Sequence, residues 1–213
     1  MGQPTVGRGV LPGGLLPLWP FQTADQAGAW LQGRRAGTPD PQQRSDAAAT
    51  ALAFTREFLG YTGIDQITSA TGSATDRLIG LGQITESGAV LAAATLRLLR
   101  FGPEPDAPWV VVGTQDAASV LARPGYGATV GASFMVGGRI TGVDEALRVS
   151  VLAPGAGLLG SAGPVGVGGV DQAWSVPVTR AGTAPGSVLT VAVATGGHLF
   201  DVEWFAVSGG FAG

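Results

Sequence analysis

The run Gly138-Arg139-Ile140-Thr141-Gly142-Val143-Asp144-Glu145-Ala146-Leu147-Arg148-Val149-Ser150-Val151 decides the fold. Leu147, Val149 and Val151 alternate with Arg148 and Ser150, the period of two that marks a strand with one buried face. Three later runs repeat it. Trp174, Val176 and Val178 alternate with Ser175, Pro177 and Thr179; Leu189, Val191 and Val193 with Thr190, Ala192 and Ala194; Val202 and Trp204 with Asp201 and Glu203. Short strands separated by Gly/Pro turns predict a β-sandwich over the last third of the chain.

Composition narrows the rest. Of 213 residues, 45% are hydrophobic and 13% charged, enough to fill a core and too apolar for wholesale disorder. The 36 glycines and 14 prolines suit tight turns between short strands. A net charge of -3 gives no general attraction to nucleic acid or anionic lipid. Cysteine is absent, which excludes disulfides, zinc–thiolate sites, a thiol nucleophile and lipid anchoring through a cysteine. The apolar patch Val10 to Leu18 is broken by Pro12 and Pro17, too short for a secretion signal or a membrane span.

Upstream of the strands the pattern is helical. Thr23 is a candidate N-cap for a helix from Ala24 to Gln32 ended by Gly33. Ser45 is the candidate cap of a second helix over Asp46–Leu59, closed by Gly60, with Ala47, Ala51, Phe54 and Phe58 on one face. Its expected partner is a small antiparallel sheet built from Arg77–Gln83, Ala92–Phe101 and Trp109–Gln115. The predicted class is therefore α+β: a flexible lead (1–22), an N-terminal helix-on-sheet module (23–124), and an immunoglobulin-like β-sandwich (125–213).

The stretches Met135–Ile140, Asp144–Val149 and Ala173–Val178, with a late Val-rich strand, resemble the immunoglobulin-like domain of bacterial spore-germination and envelope proteins. Gly138 and Glu145 match that family's Gly and Glu. Trp19-Pro20-Phe21, Pro108–Thr114 and Thr195–His198 are similar to a group of actinobacterial envelope proteins. The resemblance implies an extracytoplasmic setting, a signal or anchor absent from this chain, and a protein or envelope component as partner. It carries over no catalytic residue.

Catalytic motifs are missing from the sequence. His198 is the single histidine, so no multi-histidine metal site exists, and no G-x-S-x-G elbow is present. After Gly196-Gly197 it reads as a turn residue. The glycines of 160–169 lack the lysine of a phosphate loop, and no cofactor is expected. Asp65, Asp76 and Asp116 read as solvated loop acids, with a pocket base under the second helix as the enzymatic alternative. Trp174 and Trp204 read as core.

One candidate binding region remains. If the strands Ala146–Leu152, Gly163–Gly168, Ala173–Thr179, Val188–Ala194 and Phe200–Val207 run up and down in turn, their loops gather Asp144, Glu145, Asp171, His198 and Asp201 at one end. Arg180 stands alone at the other. Clustered oxygens suit a calcium ion or an Arg/Lys-bearing partner, or serve solubility alone. The function this predicts is a non-catalytic binding or structural module of a bacterial cell envelope. The alternative is a small-ligand binder or enzyme with a pocket in the N-terminal module.

Overall fold

A computed structural model describes residues 10–115, 120–141 and 146–213. Strand accounts for 46% and helix for 14%, so the chain is mostly β and sandwich-like in build.

The first helix, α1 (Ala24–Arg35), starts where expected: Thr23 Oγ1 accepts from the Gln26 N–H at 3.2 Å. It runs through Gly33, and the turn falls at Gly37, whose φ of 90° lies in the left-handed region that glycine enters freely. The second helix, α2 (Ala47–Ala53), is capped by Asp46 rather than Ser45, with Oδ1 accepting from Ala49 N–H at 2.7 Å. A carboxylate also suits the positive helix end, so Asp46 serves both roles. Beyond Ala53 the helix widens into a π turn, Phe54–Phe58, and stops at Gly60 with φ 81°.

Four strands follow as one antiparallel sheet in the order β1 (Gln66–Gly72), β2 (Asp76–Ile84), β3 (Val90–Arg100), β4 (Trp109–Thr114). The other edge of β4 is covered by Leu18 and Trp19, which bond to Val111. The remaining strands are β5 (Thr129–Val130), β6 (Ser133–Ile140), β7 (Ala146–Ala153), β8 (Gly157–Gly166), β9 (Gln172–Thr179), β10 (Val188–Thr195) and β11 (Trp204–Ala212). They form a five-stranded sheet, β5-β11-β10-β7-β8, and a two-stranded one, β6-β9.

The up-and-down order holds in part. From β8 the chain leaves the five-stranded sheet; β9 pairs with β6, and β10 returns to pair with β7 and β11. The physical reason is coverage. Trp174 and Val178 of β9, with Val136 and Ile140 of β6, close over Leu147, Val149, Val151, Leu189, Val191 and Val193 in one buried cluster.

The opposite face of the same sheet is buried too. Val188, Ala192, Ala194, Phe205, Val207 and Phe211 share a second cluster with Phe54 of the π turn, Ile79, Leu81, Leu96 and Val111 of the first sheet, and Leu16 and Leu18. The five-stranded sheet is thus a middle layer. Side chains from both sides of the expected 124/125 boundary meet in that cluster. Among the described residues no helix is long and apolar enough to cross a membrane.

Candidate functional site

Register fixes where the candidate residues lie. Ala146 pairs with Gly166, Arg148 with Ala194, and Thr195 with Trp204, so the start of β7, the ends of β8 and β10, and the start of β11 share one end of the middle sheet. Ile140 pairs with Gln172, which brings the 167–171 loop to the same end. Asp171, His198 and Asp201 therefore share it. Asp144 and Glu145 lie outside the described residues.

Each described loop at this end is braced by an acid. Arg139 grips Asp171: Nε donates to Oδ1 at 2.6 Å, and Nη2 to Oδ2 at 2.8 Å and to the Asp171 carbonyl at 2.6 Å. The Asp171 N–H donates to Thr141 Oγ1 at 2.9 Å. Arg139 holds the Asp171 carboxyl below the usual carboxylate range. Asp171 takes a φ of 51°, a left-handed conformation uncommon outside glycine, Asn and Asp.

The 196–203 loop uses a residue the sequence reading left aside. Glu203 Oε1 accepts from three successive backbone N–H groups, His198 at 3.1 Å, Leu199 at 2.6 Å and Phe200 at 3.2 Å. Those donors, the Leu199 one foremost, push its carboxyl down. His198 enters this network through its backbone. The signal in sequence is slight: a Gly-Gly turn followed at short range by a carboxylate, the pattern of an acid that caps its own loop. Asp201 contributes its carbonyl, which accepts from Arg148 Nη1 at 3.3 Å, while its carboxylate faces solvent. Among the described residues no three His, Asp or Glu side chains come together in a way that could hold a metal ion.

At the opposite end Arg180 is buried, 6% exposed, and its guanidinium donates to the carbonyls of Val130, Gly131, Ala181 and Gly213. Five N–H donors let one arginine satisfy several strand-end carbonyls. Trp174 is core, 6% exposed.

The first sheet gives its acids similar duties. Asp76 is gripped by Arg97 through Nε at 3.1 Å and Nη2 at 2.7 Å, and Asp65 accepts from Gln66 Nε2 at 2.8 Å. Asp116 lies outside the described residues. The space beneath α2 is filled by Phe54, Ile79, Leu81 and Leu96. A cleft of about 510 Å³ lies where the end of β4, the segment 121–126 and the edge of β11 meet. Thr114 Oγ1 accepts from Val207 N–H at 3.0 Å and closes part of that strand edge. Tyr126 Oη accepts from Leu16 N–H at 2.8 Å and donates to the Val112 carbonyl at 2.9 Å. No family model, curated protein or solved structure matches the chain.

Proposed function

We propose that this chain is a non-catalytic binding or structural module of a bacterial cell envelope, acting outside the cytoplasm on a protein or envelope component. In this reading residues 125–213 are an immunoglobulin-like sandwich and residues 23–124 a helix-on-sheet module that flanks it. The observation that carries the proposal is how the acids are used. Asp171, Glu203 and Asp76 are each spent on an arginine or on backbone N–H groups of their own neighbourhood. A general base must face a substrate proton within hydrogen-bond reach. Acids that brace loops present a shaped surface instead. At the β10–β11 end that surface offers the exposed carboxylate of Asp201 and the exposed His198, which suit a partner bearing Arg or Lys. The envelope setting rests on the resemblance of Met135–Ile140, Asp144–Val149 and Ala173–Val178.

Two measurements test it. Fractionation of the source bacterium should place the protein with the envelope, and purified protein should co-sediment with envelope fragments. Asp201→Asn should weaken that co-sedimentation, and added salt should weaken it further. Recovery in the cytosol with no co-sedimentation would reject the proposal.

A further inference from the structure

The cleft between the first sheet and β11 has the composition of a small-molecule site. Its walls are Leu15, Val112, Leu121, Val207 and the ring of Tyr126. It sits at a seam between packed sheets, and its volume of about 510 Å³ falls in the range of ligand pockets. Tyr126 is 42% exposed although its hydroxyl is fully engaged, so the ring is held in place with apolar surface open to solvent.

Its polar groups are unequal. The hydroxyls of Thr114 and Tyr126 are spent on backbone. Arg97 also lines the cleft and, among the described residues, spends only its Nε and one Nη2 hydrogen, both on Asp76. A guanidinium carries five N–H donors, so three remain. Ser208 lines the cleft as well, and its hydroxyl makes no hydrogen bond within the described residues. The lip therefore has surplus donors over an apolar wall. Asp76 already balances the charge of Arg97, so the complementary head is an acceptor oxygen, neutral or anionic.

We propose that this cleft binds a small apolar molecule with a single acceptor head, an amide or carboxylate oxygen, seated between Arg97 and Ser208 with its hydrocarbon against Tyr126 and Leu121. The inference goes beyond the envelope reading and does not depend on it.

The test is a titration of the ¹⁵N-labelled full chain with three probes sharing one tail: octanoate, octanamide and octylammonium. Octanoate and octanamide should shift the amides of Gly113, Leu121, Tyr126 and Val207 saturably. For about ten heavy atoms the dissociation constant should be on the order of 0.1–1 mM. Octanoate binding more tightly than octanamide assigns an anionic head; equal binding assigns a neutral one. Octylammonium, which has no acceptor, should bind at least about tenfold more weakly. Ala122→Trp fills the cleft from an exposed position and should abolish the shifts, while Ala173→Trp, exposed on β9, should leave them intact. Ser208→Ala should weaken octanamide about threefold or more. Absence of saturation, equal binding of octylammonium, or full binding by the Ala122→Trp protein would overturn the proposal.

Discussion

Strands β10 and β1 are both antiparallel and nearly equal in length, yet all eight residues of β10 are buried while six of the seven in β1 are exposed. Position explains the difference. β10 is central in a middle layer, with Leu189, Val191 and Val193 feeding one cluster and Val188, Ala192 and Ala194 the other. β1 is an edge strand with a bulge between Ile67 and Ser69. Its run Gln66 to Gly72 is uncharged and mostly small, and the bulge is the device that keeps such an edge from templating another chain. Strand character is common to both; burial is a property of the layer.

The largest expected effect breaks this contrast directly. Ala192→Asp places a carboxylate inside the filled cluster between the middle sheet and the first sheet and should cost at least about 3–5 kcal/mol, enough to unfold a domain of ordinary stability. Ala70→Asp, the same change on exposed β1, should stay within about 0.5 kcal/mol. Chemical denaturation of both proteins decides it. A large loss at Ala70 would mean that β1 is covered in solution.

Next in size is Trp174→Ala. Trp174 stands between β9 and the middle sheet, and its removal should cost roughly 3–5 kcal/mol. A melting temperature left unmoved would instead make Trp174 a platform outside the core.

The same contrast shows what was legible in sequence. β2, β3, β4, β7, β9 and β10 were readable because their branched residues alternate or cluster. The direction of burial was misread at β10: Thr190, Ala192 and Ala194 look like a solvent face, yet they are the small half of a doubly covered strand, 0%, 0% and 5% exposed. A second layer packed close selects small side chains as much as apolar ones. β1 passed unnoticed because Thr, Ser, Ala and Gly carry no burial signal. The far end was half legible. Its two described loops, 167–171 and 196–203, lie at one end even though β9 changes sheets, because Ile140 pairs with Gln172 and Thr195 with Trp204. Glu203 was hidden, since nothing local separates a loop-capping carboxylate from a solvated one. The cleft was hidden more deeply, because Arg97 and Ser208 meet only through the docking of β11 near β4.

A smaller effect separates the polar braces of the far end from the packed middle layer. Glu203→Ala should cost about 1 kcal/mol, since its bonds to three N–H groups are open to solvent screening. The sign with pH follows from the lowered folded-state pKa. The unfolded carboxyl titrates near 4.5, so the brace contributes fully above that pH and is lost as pH falls through the lower folded value. Melts of wild type and Glu203→Ala between pH 7 and pH 2 should therefore converge at the acid end. A gap that stays constant would assign the loss to packing.

The smallest effect is expected at Asp171, where two terms oppose. Its ion pair with Arg139 joins side chains 54% and 64% exposed, a setting in which such pairs contribute little. Its φ of 51° is strained for a side chain and free for glycine. Asp171→Gly removes the pair and relieves the backbone, so the melting temperature should barely move. Asp171→Ala removes the pair and keeps the strain, and should melt lower than the glycine variant. Arg139→Ala, which removes the pair and the bond to the Asp171 carbonyl, should fall close to wild type, and the part of its difference due to the pair should vanish in high salt. If Asp171→Gly instead melts well below Asp171→Ala, relief of the left-handed backbone does not govern this position, and the greater freedom of glycine in the unfolded chain outweighs it.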